Sequence, residues 1–425
     1  MWTRDQAVGG RAIHRLIAAA GCLAVASAFL VASSTPAAAA ATCNGKLAEV
    51  LTATEDDFSF DGTEGDDVVV LRGTDAWYRA HGGDDTVCVE SGLTTVDAGD
   101  GDDWVSGERA SDGLTLDGEA GKDTLIGSSF VDHVWTSDGD DAIRAGEGAD
   151  DITISSDDKV TKGHDVRTGS GEDTLTIDGE EDSPMTIRLQ EGNLRTDGGL
   201  IARFSGPSLY VISGTADVKG TDKADHVQVS GEVDLSSGDG DDRIRSYNSE
   251  GTIRSGAGND TVEIERAHGS GTVALGPGDD AVTLWNGNGV TVRGGKGDDR
   301  FRLRARDDNP DGGGYPKTRA TFLGQSGSDT FKWNCKATAN IAKERLSCDS
   351  KPVKITFGGM QTYRGGKHKD TFYGSSRPDT FYGKGENDTM YGKKGRDTLI
   401  GGKGYDTADG GPGKDTCKAE NMVKC

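Results

Sequence analysis

Apolar residues return at every ninth position near the C-terminal end of the chain: Phe372, Phe381, Met390, Leu399, Ala408 and Cys417. Each lies two residues after an aspartate (Asp370, Asp379, Asp388, Asp397, Asp406, Asp415), with a threonine between. A glycine stands five residues before each aspartate, from Gly365 to Gly410. A fixed short period marks a solenoid, in which each repeat is one unit stacked on its neighbours. The unit reads Gly-x-x-x-x-Asp-Thr-apolar. It predicts a glycine turn leading into a short strand whose side chains alternate in and out, hence an all-β chain.

The same pattern, less regular, runs through the rest of the sequence. A first block carries Asp67, Asp85, Asp103, Asp123, Asp132, Asp141, Asp150 and Asp173. The apolar residues two positions on are Val69, Val87, Val105, Leu125, Val134, Ile143, Ile152 and Leu175, expected to point inward. A second block carries Asp225, Asp242, Asp260, Asp280 and Asp299, with Asp329 after a looser stretch. Here the spacing of 17 to 20 residues predicts an aspartate loop on one edge of each turn and plain turns on the other. The period divides the chain into segments 1–41, 42–176, 177–214, 215–332, 333–363 and 364–425. Residues 177–214 are non-repeating, expected as undecorated coils or a lateral hairpin. Residues 333–363 form a Cys-bounded insertion, with a short helix expected over Ala337 to Arg345.

Glycine loops with carboxylates supply hard oxygen ligands of the kind calcium prefers, backbone carbonyls included. The pattern resembles the calcium-binding nonapeptide of the RTX (haemolysin-type) family, G-G-x-G-x-D-x-U-x, where U is large and apolar. Gly294-Gly295-Lys296-Gly297-Asp298-Asp299-Arg300-Phe301 and Gly401-Gly402-Lys403-Gly404-Tyr405-Asp406 carry the resemblance best. It implies a right-handed parallel β-roll or β-helix. Two nonapeptides would make one turn, and multiple calcium ions would sit between loops stacked eighteen residues apart. All the aspartates named above are the expected metal ligands. The paired loops are Asp67/Asp85, Asp85/Asp103, Asp123/Asp141, Asp132/Asp150, Asp242/Asp260, Asp370/Asp388, Asp379/Asp397, Asp388/Asp406 and Asp397/Asp415.

Composition supports this picture. Only 33% of residues are hydrophobic and 65 of 425 are glycine, so apolar burial alone hardly offsets chain entropy. Metal binding can supply the difference. Residues 1–41 read as a secretory signal peptide: Arg4, Arg11 and Arg15, an apolar run from Leu16 to Val31, then Ala38 to Ala41. The expected location is therefore secreted and extracellular, with no transmembrane segment. The formal net charge of −24 argues against nucleic acid as a partner. Six cysteines follow the leader: Cys43, Cys88, Cys335, Cys348, Cys417 and Cys425. The favoured pairing is local, Cys43–Cys88, Cys335–Cys348 and Cys417–Cys425.

No catalytic set stands out. Doublets such as Asp102-Asp103 and Asp298-Asp299 recur along the chain, whereas an active site is normally built once. Histidines are scattered, and neither H-E-x-x-H nor G-x-S-x-G occurs. The expected function is calcium binding in a structural or cell-surface interaction role, with a cell-surface polymer or protein as partner. The alternative is a β-helix polysaccharide lyase or epimerase carrying RTX repeats. Residues 177–214 and 306–363 would then complete its site.

Overall fold

The computed structural model describes residues 40–425 except 56–57, 91, 93, 138, 157–162, 180–183, 197–198, 207, 266–270, 286–287, 305–317 and 349–352. The expected leader, apart from its last two residues, lies outside the described residues, as do residues 305–317 within the looser stretch before Asp329. The chain forms two compact units. One comprises Met1–Asp178 with Gly198–Ser208, the other Gly179–Asp197 with Leu209–Cys425. Each is a parallel β-solenoid. Among the described residues no helix is long and apolar enough to cross a membrane.

In the first unit, Val68–Arg72 pairs in parallel with Thr86–Val89, which pairs with Trp104–Ser106, and so on through Thr124–Ile126, Ala142–Glu147 and His164–Ser170. The register stacks Val69, Val87, Val105, Leu125, Ile143 and Val166 in one column, none more than 1% exposed. A second column of strands, from Ser59–Asp61 to Asp151–Ser156, closes the other face of each coil. Every apolar residue read as inward in this block is buried. Cys43 and Cys88 are joined, their Cα atoms 5.6 Å apart.

The second unit repeats the plan with a changing core. Its column runs Val227, Ile244, Val262, Val282, Phe301, Phe331, Tyr363, Phe381, Leu399 and Cys417. Where the valines stop, rings interlock. Phe331 lies 5.2 Å from Phe322 and 5.6 Å from Phe357, and Trp333 lies 5.3 Å from Phe372, centroid to centroid. In the expected non-repeating segment, Met185–Arg188 pairs antiparallel with Asn193–Thr196 and in parallel with Thr215–Lys219, so its first strand belongs to the stack.

One expectation is corrected. Ala337 to Arg345 does not form an α-helix. Ala337–Asn340 and Arg345–Cys348 are antiparallel strands, joined by a single 3-10 turn at Ile341–Lys343. The side chains of the first strand alternate, with Ala337 and Ala339 buried. The Asn340 side chain accepts from the Lys343 amide at 3.1 Å, and Glu344 takes a left-handed φ of 51°. The returning strand also pairs with Val353–Gly358, so sheet partners on both sides override the local helix preference. The other two cystines, Cys335–Cys348 and Cys417–Cys425, are formed as expected.

The aromatic core makes a testable difference. Phe331→Ala should cost about 3–5 kcal/mol of stability through the cavity it leaves. Trp77→Ala, at a position 44% exposed, should stay within about 0.5 kcal/mol. Thermal or denaturant unfolding of the calcium-loaded chain measures both. Equal losses would show that the rings do not pack as described.

Candidate metal centres

Each repeat places its aspartate at the end of a glycine loop, one residue before the strand. There the backbone N–H of one aspartate donates to Oδ1 of the aspartate in the next coil. The distance is 2.8 Å from Asp85 to Asp103, 2.9 Å from Asp242 to Asp260 and 2.8 Å from Asp388 to Asp406. Repetition of this bond arranges all twenty predicted aspartates in five ladders. They run Asp67-Asp85-Asp103-Asp123-Asp141, Asp132-Asp150-Asp173, Asp225-Asp242-Asp260-Asp280-Asp299-Asp329, Asp370-Asp388-Asp406 and Asp379-Asp397-Asp415. Several steps escape an eighteen-residue rule. Asp103 and Asp123 are 20 apart, Asp150 and Asp173 are 23 apart, and Asp299 and Asp329 are 30 apart.

The second carboxylate oxygen decides what the ladders can hold. Oδ2 is buried without a hydrogen-bond partner in Asp85, Asp103, Asp123, Asp150, Asp173, Asp242, Asp260, Asp280, Asp299, Asp329, Asp388, Asp397, Asp406 and Asp415. A buried oxygen left unpaired costs free energy, so this repetition calls for a cation or a proton. The space beside it is kept by glycine. A Cβ on Gly294 would lie 1.9 Å from Asp299 Oδ2 and 2.8 Å from the carbonyl oxygen of Gly324. Loop carbonyls are therefore within reach of the same space. Among the described residues no three His, Cys, Asp or Glu side chains converge on one point. The donors the loops do offer, carboxylate and carbonyl oxygens, are those calcium takes, six to eight at a time, and differ from the nitrogen and sulfur donors of a structural zinc site.

The first aspartate of each ladder is different. Asp67 Oδ2 accepts from the Thr63 amide at 2.6 Å, Asp132 Oδ2 from the Ser128 amide at 2.6 Å, Asp225 Oδ2 from the Thr221 amide at 2.7 Å and Asp379 Oδ2 from the Ser375 amide at 2.7 Å. The hydroxyls of Ser128, Thr221 and Ser375 add further bonds to these carboxylates. Asp370 Oδ2 accepts from the Gly366 amide at 3.2 Å. The starting carboxylates are thus satisfied by their own loops, and sites open only between one loop and the next. A Ser or Thr four residues before the aspartate was the available sequence signal, and the reading missed it.

Three ladders end on another side chain. The Asp329 amide donates to Gln361 Oε1 at 2.6 Å and the Asp406 amide to Glu420 Oε2 at 2.8 Å. Nδ1 of the fully buried His164 lies 3.3 Å from the Asp141 amide. His164, Gln361 and Glu420 were not singled out in the sequence, because the aspartate period breaks before each. The residue preceding each loop aspartate also has a use. Oδ1 of Asp84 accepts from the Asp102 amide at 3.0 Å, and Oδ1 of Asp279 accepts from the Asp298 amide at 2.8 Å. The acidic doublets therefore form a second, exposed ladder that ties neighbouring loops.

A model of the RTX calcium-binding nonapeptide repeat matches residues 117–152, 234–262, 364–399 and 391–420. The chain carries RTX repeats. These repeats imply calcium binding, and the matched stretches hold twelve of the ladder aspartates. No curated protein matches the chain. Among solved structures, the chain is similar to a hyperactive, Ca2+-dependent, beta-helical antifreeze protein from an Antarctic bacterium. The identity is 16% over 84% of this chain and 85% of that one, with a TM-score of 0.21.

Burial pushes the Asp85, Asp103, Asp280 and Asp388 carboxyls up to about 7 and Asp123 to about 8, and neighbouring carboxylates add to the rise. An unfolded aspartate titrates near 3.9. With the folded value raised, these groups favour the metal-free fold below about pH 4 and stop doing so as pH rises through about 7 to 8. Chelated protein should therefore melt at a lower temperature at pH 8 than at pH 5. Calcium-loaded protein should show a smaller dependence, because the ion takes the proton's place. Circular dichroism melts at both pH values test this, and a chelated form more stable at pH 8 would contradict it.

The asymmetry along a ladder gives a second test. Asp397→Ala should lower bound calcium by at least one ion per chain. Asp379→Ala should lower it less, because Asp379 Oδ2 is already held by Ser375. Metal counting on the two variants decides, and equal losses would show that the Ser375 bonds do not set the first site.

Proposed function

We propose that this is a secreted, non-catalytic calcium-binding β-roll protein with a structural or cell-surface interaction role. The observation that carries the reading is the series of unpaired Oδ2 atoms repeated along five ladders, one at nearly every step between stacked loops. Calcium at those steps would bind loop to loop along each edge and cancel much of the net charge of −24. Multiple ions per chain follow from this, one for each step that leaves an oxygen unpaired. Extracellular location is supported by the leader-like N-terminal sequence and by three cystines, which persist in oxidising compartments. The recurrence of every acidic cluster, with a hydrogen-bonding use for both members of the doublets, supports a structural rather than a catalytic role.

Calcium titration of the full chain, followed by circular dichroism and metal counting, tests the proposal. Extracellular calcium modules bind with a dissociation constant of roughly 10⁻⁴ to 10⁻³ M, so ordering of β signal is expected in that range. Several ions per chain should be bound at saturation, and chelator should reverse the change. A spectrum and melting temperature indifferent to calcium would overturn the reading. Turnover of acidic polysaccharides that survives loss of calcium would overturn its non-catalytic part.

A further inference from the structure

One outward column of the C-terminal coils sets a tyrosine on a tyrosine. Each follows the same unit, Asp370-Thr371-Phe372-Tyr373 and Asp388-Thr389-Met390-Tyr391, so the alternation that buries Phe372 and Met390 turns both tyrosines outward. Strand pairing puts Tyr373 directly opposite Tyr391, with Asn340 before them and Asp409 after them in the column. The ring centroids are 5.1 Å apart and the ring planes differ by 8°. Coils in register repeat at about 4.8 Å, so the two side chains are near-copies displaced by one coil. Both border a surface cavity of about 480 Å³, shared with Lys393, Pro412 and Lys424, through which small solutes reach them.

The pair stands apart from the other tyrosines. Tyr78 and Tyr363 are buried in the core. Tyr382 lies opposite Arg364 and Ile400, and the Arg364 guanidinium sits 4.2 Å over its ring. Tyr405 is 65% exposed and lies in a glycine loop outside the strands. Among the described residues no other two tyrosines face each other in a strand pair.

A parallel tyrosine stack suits one chemistry. A phenol that gives up an electron and a proton becomes a phenoxyl radical, whose unpaired electron is shared with the ring carbons beside the C–O carbon. It occupies lobes perpendicular to the ring, and parallel rings turn those lobes toward each other. Displacement by one coil brings each such carbon nearest its own counterpart, at a separation that rotation about the side-chain bonds closes. We propose that Tyr373 and Tyr391 form an oxidative cross-linking site, joined within one chain as dityrosine by a haem peroxidase and hydrogen peroxide. Each phenol loses one electron and one proton. A carbon–carbon bond then forms between the two rings at the positions ortho to oxygen. The hydrogens on those carbons leave as protons while the two oxygens regain theirs, which restores both phenols. One hydrogen peroxide takes up the two electrons and two protons and becomes two waters. The new bond closes a loop of eighteen residues across the Asp370–Asp388 step, where the amide-to-carboxylate distance is 2.7 Å. Such a tie restricts the unfolded chain as a disulfide does, at a step otherwise held by hydrogen bonds and a cation.

The test treats the calcium-loaded full chain with peroxidase and hydrogen peroxide, under conditions that couple free tyrosine. Wild-type chain should gain dityrosine fluorescence, lose two hydrogens from its intact mass, remain monomeric on a denaturing gel and yield a peptide joining Tyr373 to Tyr391. The variant Tyr391→Phe keeps a ring in the stack, so its circular dichroism and calcium load should not change. Its dityrosine yield should fall at least about tenfold, because the coupling depends on two phenols held together. The control Tyr405→Phe, which removes the most exposed phenol, should react like wild type. Absence of dityrosine in the wild-type chain overturns the inference. So does a cross-link that runs between chains or through Tyr405, and so does a yield that Tyr391→Phe leaves unchanged.

Discussion

The bond from each loop aspartate's amide to the carboxylate of the next coil sets the conditions for the rest of the structure. It fixes one oxygen of each carboxylate after the first in a ladder, and in all of these but Asp141 the other oxygen is buried with no protein donor. The apolar residue follows two positions later and is brought into its column by the same alignment. A carboxylate in this position must be neutralised by a proton or a cation, which ties the loops' geometry to the solution around them. The fold and the calcium binding that its repeats imply share one hydrogen-bond pattern.

The two units hold their coils together by different balances. In the first, the core column is mostly valine, leucine and isoleucine, small side chains that bury modest area per coil. Between Phe301 and Phe381, rings fill the interior and touch across coils. Aromatic side chains bury more area and gain from their mutual geometry. Coils in this stretch have an internal source of stability that the valine coils lack.

Much of this was legible in the sequence because the signal is a spacing. The aspartates and the apolar residues two positions on follow directly from it, whereas the cystine pairing was a choice among several that the structure decides. What stayed hidden depended on chain length between coils. Asp299 and Asp329 lie 30 residues apart and still bond, and Arg302, Lys332 and Arg364 come into register only once the intervening segments are known. His164 takes an aspartate's place in a ladder after a break in the period, so no spacing marks it. The Ala337 to Arg345 stretch carries helix-forming residues, and its strand form comes from partners distant in sequence.

The long step between Asp299 and Asp329 shows that the ladder counts coils and not residues. The bond closes over thirty residues there as it closes over eighteen elsewhere, so added chain between coils does not open the loop edge. A scaffold of this kind separates the part that must repeat from the part that is free to vary. New segments can be grafted between such coils without re-solving the fold, and each graft sits at a height along the solenoid fixed by the aspartates on either side of it.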